Sequence, residues 1–355
     1  MSVFKFNDHG QGCPYHKMER YKALALQITC ETINSCQSKE EVEIVFKKTL
    51  TKINAQIRAS KAFLGQDLKL VVLPEYFLTG FPMGETIEQW REKGCVKMDG
   101  WEYEELGKIA SQNQIYLAGN VYELDPNFPK IYFQTSFIIS PEGKVILRYR
   151  RLNSMFAPTP HDVWDSYLEI YGYEALFPVI KTEIGNLCCI ASEEILYPEI
   201  ARCLAMRGAE VICHSSSEVG SNLLTQKNVA KLARAIESMA YVVSANSAGM
   251  SGISIPFAST DGASKVVDYK GLVLSEAGYG ESMVANGDID LPALRYFRNR
   301  PAMGNLLARQ RFELYAESYQ KHSFYPPNTL LEKEVTRQHF VETQVEVIKD
   351  IISKF

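Results

Sequence analysis

The chain has 355 residues, and 46% of them are hydrophobic, which is sufficient for one large domain with a substantial core. Its formal net charge of −4 is not typical of proteins that bind nucleic acid or acidic membranes. No apolar run reaches the length needed to span a bilayer, so we expect neither a nucleic-acid partner nor a membrane partner.

The cysteines and histidines give no indication of a metal site. The chain contains eight cysteines and six histidines, and neither set follows the spacing of a zinc site or of a disulfide framework. We therefore expect reduced thiols, no metal ion and no cofactor. The first residues lack the cationic and apolar regions of a secretory signal, which favours a cytoplasmic location.

In the first half of the chain, short apolar runs alternate with helical patterns. Ser38 and Glu41 form a capping-box pattern at the start of an amphipathic helix. The Pro-Glu-Gly sequence at residues 141–143 predicts a hairpin turn between two strands. The predicted elements of this half are strands at residues 23–28, 69–73, 115–122, 132–139 and 144–149, and helices from Ser38 to about residue 62 and at residues 104–112.

The second half repeats this alternation and ends in a helical tail. The predicted elements are strands at residues 187–191, 210–214, 241–246, 263–268 and 272–277, and helices at residues 198–207 and 225–240. The tail that begins at residue 306 shows helical periodicity in its first part and again at residues 340–352. Interleaved strands and helices predict an α/β fold in which helices cover a sheet core.

Three predicted strands end in residues that can carry chemistry. Glu75 follows one strand, the cationic cluster of Arg148, Arg150 and Arg151 ends a second, and Ser192 follows a third. Taken singly, the glutamate could cap a turn, the arginines could be solvated and the serine could begin a helix. Because α/β proteins gather their functional groups at the carboxyl ends of strands, the three together indicate a site.

The segment GNLCCIASEEILYPE predicts a strand-to-helix elbow at Ser192. The apolar strand stops at this serine, and Pro198 stands where a helix can begin without losing a needed N–H. Such an elbow lifts one side chain above the sheet and directs the next backbone N–H, here that of Glu193, toward the group that is attacked. Cys188 and Cys189 precede the elbow, and we expect them in the core.

Five segments in a fixed order resemble the nitrilase (carbon-nitrogen hydrolase) superfamily over roughly residues 20–315. They are LPEYFLTGFP, RYRRLN, SEEILYPEIARCLAMRGAEVI, ARAIESMAYVVSANSAG and GASKVVDYKGLVLSEAG. The resemblance implies a four-layer αββα sandwich, a small-molecule substrate or ligand, and a homodimer or higher homo-oligomer. It also implies an N-terminal extension at residues 1–20, a hydrolase domain at residues 21–315, and a C-terminal helical tail at residues 316–355 in the oligomer interface.

The resemblance assigns three catalytic positions, and two of them depart from the family. In the family a glutamate takes a thiol proton, the thiolate attacks an amide or nitrile carbon, and a lysine stabilises the oxyanion. Here Glu75 stands for the glutamate, Ser192 for the cysteine and Arg151 for the lysine. A serine hydroxyl must lose its proton during the attack, whereas arginine keeps the positive charge but cannot give up its proton.

The resemblance also indicates residues around these three. We expect an oxyanion or supporting role for Glu193, Glu194 and Asp162, and a substrate pocket that includes Tyr76, Asn153, Trp164 and His214. Of these, Glu194 is the acid that the family usually places two residues after the nucleophile, and His214 follows an apolar strand. The aromatic residues of the segment 155–178 either shape this pocket or pack a long loop onto the sheet.

Three functions are compatible with this sequence. The first is amide-directed hydrolysis or acyl transfer through Glu75, Arg151 and Ser192. The second is a catalytically silent pseudoenzyme that binds a small molecule or a partner. The third is an amidase inactivated by a cysteine-to-serine change at residue 192. Nitrile hydrolysis ranks below amide hydrolysis, because its thioimidate intermediate depends on a thiolate.

Overall fold

The computed structural model describes residues 20–221, 223–331, 333 and 335–354. Almost all of the expected extension at residues 1–20 therefore lies outside the described residues. The strands are β1 (Arg20–Ala25), β2 (Cys30–Glu31), β3 (Leu68–Val72), β4 (Val96–Lys97), β5 (Tyr116–Leu124), β6 (Tyr132–Ile139), β7 (Val145–Arg150), β8 (Ile180–Thr182), β9 (Gly185–Ala191), β10 (Val211–Ser215), β11 (Tyr241–Ala245), β12 (Met250–Ser251), β13 (Lys265–Val267), β14 (Val273–Glu276) and β15 (Asn286–Asp290). The α-helices are α1 (Lys39–Leu64), α2 (Ile87–Gly94), α3 (Trp101–Asn113), α4 (Trp164–Tyr171), α5 (Pro198–Met206), α6 (Gln226–Ser238), α7 (Leu291–Arg298), α8 (Glu313–Lys321) and α9 (Arg337–Lys354).

Two mixed sheets pack face to face. The first has the order β15-β1-β3-β5-β6-β7 with β4 beside β5, and the second has the order β14-β13-β11-β10-β9-β8. In β1, Ala23 and Ala25 face the second sheet, whereas Leu24 faces the core beneath α1 and α3. Because successive side chains alternate, a strand buried on both faces is apolar at every position.

The helices complete a four-layer α/β sandwich, as the sequence analysis predicts. Helices α1 and α3 bury Phe46, Ile53 and Ile109 against the outer face of the first sheet. Helices α5 and α6 bury Leu204 and Ala235 against the second sheet. The two outer helical layers leave the carboxyl ends of the inner strands together at one edge of the sandwich.

Several local predictions are confirmed. Ser38 caps α1, with its hydroxyl accepting from the Glu41 backbone N–H at 3.3 Å. The turn between β6 and β7 places Gly143 at a φ of +78°, which favours glycine. Cys188 and Cys189 lie fully inside the core between the sheets.

The structure also contains elements that the sequence analysis does not predict. Helices α2 and α7 and strands β8 and β15 are short, so their periodicity is hard to recognise. The segment 155–178 contains α4 between two 3₁₀ turns, where the sequence analysis predicts only a long loop. The expected boundary between residues 315 and 316 falls inside α8.

The described residues include neither a helix that could cross a membrane nor a cluster that could hold a metal ion. None of the helices in the described ranges combines the length and apolar character that crossing a bilayer requires. Within the same ranges, no group of three or more His, Cys, Asp or Glu side chains is placed to hold a metal ion.

Strand direction brings the predicted functional residues to one edge. Strands β3 and β5 are parallel, and β6 runs antiparallel to both β5 and β7, so β3 and β7 point the same way. In the other sheet β9 and β10 are parallel. The Glu75 backbone N–H after β3 donates to the Ser216 carbonyl after β10 at 3.2 Å, which joins the two edges.

The contact between α3 and the β6–β7 turn gives a stability prediction. A Cβ atom at Gly107 would lie 2.5 Å from the backbone oxygen of Gly143, and a backbone atom cannot move aside cheaply. We expect Gly107→Ala to destabilise the protein by about 1–3 kcal/mol, although alanine is the better helix former by about 1 kcal/mol. Chemical denaturation measures this effect, and Ser111→Ala in the same helix is the control. A Gly107→Ala variant as stable as the parent protein would contradict the close approach.

Candidate functional site

Ser192 lies on a strained elbow between β9 and α5. Strand β9 ends at Ala191, a 3₁₀ turn spans Ser192–Leu196, and Pro198 opens α5. Ser192 has a φ of +44°, a left-handed conformation that is unfavourable for a residue with a side chain. Backbone strain of this kind is typical of a nucleophile elbow, and it points the serine hydroxyl away from the strand.

His214 supports the elbow through a hydrogen bond to its backbone. Its Nε2 donates to the Ser192 backbone oxygen at 2.8 Å, because a carbonyl can only accept. Its Nδ1 lies 2.8 Å from the Ser244 hydroxyl. Burial, and then the positive charge of Lys231, hold the pKa of His214 well below its usual value, so the ring is neutral and Nδ1 accepts from Ser244. We expected His214 in the substrate pocket; the structure buries it completely and bonds both ring nitrogens.

Lys227 contacts the Ser192 hydroxyl. Its Nζ donates to Ser192 Oγ at 3.0 Å and to the Ser217 carbonyl at 2.9 Å. Lys227 is not among the residues predicted from the sequence, and it lies in the first turn of α6 after the cap Thr225. The sequence contained one indication of its role. A lysine in the first turn of a helix is disfavoured by the helix dipole, so a lysine at this position indicates a specific interaction.

Glu75 and Arg151 form an ion pair below the elbow. Glu75 is fully buried, and its Oε1 accepts from Arg151 Nη1 at 3.2 Å and from Gln134 Nε2 at 2.6 Å. Its Oε2 is buried and makes no hydrogen bond to any residue in the described ranges. Burial and the nearby Glu75 charge raise the pKa of Tyr76, whose ring stacks on Tyr122.

The donors of Arg151 are almost fully used. Its Nε donates to the Asn153 carbonyl at 2.7 Å, and Nη1 donates to Gln134 Oε1 at 2.7 Å as well as to Glu75. Its Nη2 forms an ion pair with Glu193. Burial opposes the charge of Arg151, but Glu75 and then Glu193 outweigh burial and raise the pKa of the guanidinium.

Glu194 ties the elbow to the segment that carries Arg151. Its Oε1 accepts from the backbone N–H groups of Leu152 and Asn153 at 2.7 and 2.9 Å, and its Oε2 accepts from the Tyr149 hydroxyl at 2.7 Å. Burial raises the pKa of Glu194 to about 7, although Arg151 and these hydrogen bonds lower it. The carboxyl therefore acts as a structural bridge between the two halves of the site.

The other predicted pocket residues line a neighbouring cavity of about 280 Å³. Asn153, Asp162, Trp164 and Tyr173 contribute to its wall. Asp162 caps a 3₁₀ turn: its Oδ2 accepts from the Thr159 hydroxyl at 2.7 Å. The structure thus brings Asn153 to both the cavity and the ion pair, but it places Asp162 in a capping role.

Some aromatic residues of the segment 155–178 pack on the sheet, and others line the cavity. Tyr167 and Tyr171 pack on the guanidinium of Arg150, at 5.5 and 4.6 Å from their ring centres. Trp164 and Tyr173 instead line the cavity. Packing on the sheet and shaping a pocket are therefore both present in this segment.

Comparisons with known proteins agree with this geometry. The profile of the carbon-nitrogen hydrolase family matches residues 32–299, which is more than half of the chain. The chain belongs to the carbon-nitrogen hydrolase (nitrilase) superfamily. Its members' common chemistry is hydrolysis at carbon–nitrogen bonds, and the buried acid, cation and elbow serine lie within the matched region.

Named relatives agree with this assignment, and solved structures share the fold. The omega-amidase NIT3 of Saccharomyces cerevisiae is 27% identical over 255 residues, which cover 71% of this chain and 84% of that protein. A formamidase of Bacillus cereus is 26% identical over 229 residues, which cover 64% of this chain and 63% of the formamidase. The structure of yeast Nit3 has a TM-score of 0.61 at 22% identity over 79% of this chain and 94% of that chain. An amidase from Nesterenkonia sp. has a TM-score of 0.58 at 20% identity over 88% and 100% of the respective chains.

The raised pKa of Glu194 predicts a pH-dependent stability. The ordinary glutamate pKa is 4.5, and the folded-state value is about 7. Between these values the folded protein keeps a proton that the unfolded chain has lost, so stability falls as pH rises. We expect Glu194→Gln, which cannot titrate, to gain up to about 3 kcal/mol relative to the parent between about pH 4.5 and pH 8.

Urea denaturation at several pH values tests this prediction. Glutamine keeps an oxygen for the two backbone N–H groups and offers an N–H to the Tyr149 hydroxyl, so the bridge is preserved. The exposed Glu142→Gln variant is the matched control and is expected to follow the parent at every pH. Parallel pH curves for the parent and Glu194→Gln would show that Glu194 does not titrate in this range.

Proposed function

We propose that this chain hydrolyses amides, or transfers their acyl group, with Ser192 as the nucleophile. The observation that carries the proposal is the Ser192 hydroxyl on a strained elbow, held by Lys227 and next to a buried carboxylate–guanidinium pair. The named relatives support the substrate class, because the omega-amidase and the formamidase both act on amides according to their names. In this proposal Ser192 takes the place of the family's cysteine and Arg151 that of its lysine.

The proposed reaction uses Glu75 as the base. Glu75 takes the Ser192 hydroxyl proton while Oγ bonds to the carbonyl carbon, and the C=O electron pair moves onto the oxygen. The backbone N–H of Glu193 donates to this oxyanion. The C–N bond then breaks, and the amine leaves with the proton from Glu75. Water, or another acceptor in acyl transfer, attacks the resulting ester and restores the serine.

A free carboxylate oxygen on Glu75 favours this role. Glu75 is fully buried, and its Oε1 accepts from Gln134 and Arg151. Its Oε2 has no hydrogen-bond partner among the described residues, so this oxygen can accept a proton without breaking an existing contact. Asn153 and Trp164 would contribute to the substrate pocket through the adjoining cavity, and Tyr76 through its position beside Glu75.

A pseudoenzyme is the second candidate, and one observation favours it. Arg151 already binds Glu75, Gln134, Glu193 and the Asn153 carbonyl, which leaves it little capacity for a substrate. In this function the cavity beside Asn153 would bind a small molecule without turnover. The third candidate, an amidase inactivated by a cysteine-to-serine change, predicts that cysteine at residue 192 alone restores activity.

The proposal also includes the oligomeric state, the domain bounds and the location of the protein. Apolar side chains exposed on α5, α6 and α8, among them Met206, Ile236 and Leu314, support a homodimer or higher homo-oligomer. The proposal retains a hydrolase domain at residues 21–315, a C-terminal tail at residues 316–355 within the interface, and a cytoplasmic location.

Ammonia release tests the proposed function directly. The purified protein is assayed over a panel of primary amides, ω-amides, carbamoyl compounds and nitriles, beside Ser192→Ala. We expect release from amides, and a loss of at least 100-fold in Ser192→Ala, because removing a nucleophile leaves only binding and oxyanion contacts. Equal release by both proteins would exclude Ser192 as the nucleophile, and no release from the parent would favour the pseudoenzyme.

A restored family site separates the second and third candidates. The double change Ser192→Cys with Arg151→Lys is expected to raise amide turnover above that of the parent, because a thiol forms its anion far more readily than a hydroxyl. The single change Ser192→Cys isolates the inactivated-amidase alternative. An inactive double variant that still folds would show that the pocket itself no longer accepts amides.

A further inference from the structure

Two cations lie at the candidate site, and they have different capacities to stabilise new negative charge. A guanidinium has five N–H donors, and an ammonium has three. In Arg151, Nε and both N–H groups of Nη1 are bonded within the protein, and Nη2 pairs with Glu193. Four of its five N–H donors are therefore used, and its positive charge is shared by two carboxylates, those of Glu75 and Glu193.

Lys227 differs from Arg151 because no carboxylate in the described part of the chain neutralises its charge. Its Nζ uses one donor on the Ser217 carbonyl and one on Ser192 Oγ, which leaves a third N–H. Among the described residues, no carboxylate oxygen lies within 4.0 Å of this Nζ, whereas Lys231 one turn further along α6 is paired with Glu218. The charge of Lys227 is therefore not neutralised by a nearby carboxylate and is directed at the serine.

We infer that Lys227 is a catalytic residue of this site, and that it provides the positive charge that stabilises the negative charge formed on and beside Ser192 Oγ. The inference rests on the proposed function for its chemical step. The Ser192 proton goes to Glu75, Oγ bonds to the carbonyl carbon, and Lys227 keeps its own proton throughout. The carbonyl oxygen becomes the oxyanion, and it is two bonds from Oγ, the atom that Lys227 already contacts, within reach of its third N–H.

The position of Lys227 in the fold supports this role. The Ser217 carbonyl, which follows β10, accepts from its ammonium at 2.9 Å and holds it beside the elbow. Lys227 is placed in the first turn of α6, where the positive end of the helix dipole disfavours a cation. Its ammonium has its hydrogen bonds to the nucleophile and to one backbone carbonyl, so neither a salt bridge nor burial in the core accounts for this placement.

A thiol introduced at residue 192 reports the electrostatic effect without any substrate. In Ser192→Cys, the rate of iodoacetamide alkylation at this residue is followed against pH by mass spectrometry of its peptide, which separates it from the other cysteines. If Lys227 stabilises an anion there, adding Lys227→Met raises the pKa of this thiol by about one pH unit or more, since a lysine beside a thiol lowers its pKa. An unchanged pKa in the double variant would overturn the inference.

Matched variants keep this test decisive. Lys181→Met removes an exposed lysine on β8 and is expected to leave the thiol pKa unchanged. Lys227→Gln removes the charge but keeps a donor for the Ser217 carbonyl. It is used in place of Lys227→Met if the thermal midpoint shows that Lys227→Met does not fold. A thiol pKa that rises equally with Lys181→Met would assign the effect to net charge and not to the Lys227 contact.

Turnover then separates this inference from the proposed function. In the protein with serine at residue 192, Lys227→Met is expected to lower kcat for amides at least 100-fold with a smaller change in KM. Lys227→Arg keeps the positive charge and is expected to retain part of the lost kcat. Full activity in Lys227→Met would overturn the inference. If the parent releases no ammonia, the proposed function fails, and the thiol pKa still decides whether Lys227 stabilises an anion at residue 192.

Discussion

The buried pairing of Glu75 with Arg151 is the constraint on which the candidate site depends. Removing two charges from water costs several kcal/mol for each ion, and the cost is recovered only with good geometry and further hydrogen bonds. Gln134 on β6 supplies a further hydrogen bond to each ion, since its side-chain N–H donates to Glu75 and its side-chain oxygen accepts from Arg151. The three side chains form a closed ring that joins the ends of β3 and β7 through β6. Loss of Arg151 would leave the buried Glu75 without an ion-pair partner, and loss of Gln134 would remove one hydrogen bond from each of the two ions.

The elbow is held by hydrogen bonds from a neutral histidine and to a buried carboxyl group. His214 is neutral and binds the Ser192 carbonyl, while the Glu194 carboxyl binds the backbone of Leu152 and Asn153. A left-handed residue such as Ser192 costs about 1–3 kcal/mol, and each of these hydrogen bonds contributes about 0.5–1.5 kcal/mol. Several bonds on both sides of the elbow are therefore needed to offset the strain. Glu194 also transmits the position of the elbow to the segment that carries Arg151, so the two halves of the site move together.

The sequence predicted the parts of this site that follow from strand patterns. Glu75 and Ser192 end apolar strands, and the alternation of strands and helices placed them at one edge of an α/β sandwich. The role of His214 could not be predicted, because a histidine after a strand is equally compatible with a pocket and with a buried support. Asp162 stands three residues after Thr159, a capping pattern that was visible but not used. Lys227 was missed because a single lysine in a helical segment has no periodic signal, and only the packing of α6 beside the elbow gives it a partner.

The chemistry of arginine explains why two cations are present. A planar guanidinium with donors on three nitrogens can crosslink several acceptors at once, and Arg151 does so with two carboxylates, an amide and a backbone carbonyl. This makes it a strong structural element, but four of its five donors are used and its charge is paired with two carboxylates before any substrate arrives. An ammonium is a compact charge whose three donors rotate freely, so Lys227 can bind the nucleophile and still present an N–H to a new oxyanion. In this site the stabilisation of the fold and the stabilisation of reaction charge are therefore divided between Arg151, which follows β7 of the first sheet, and Lys227, on helix α6 against the second sheet.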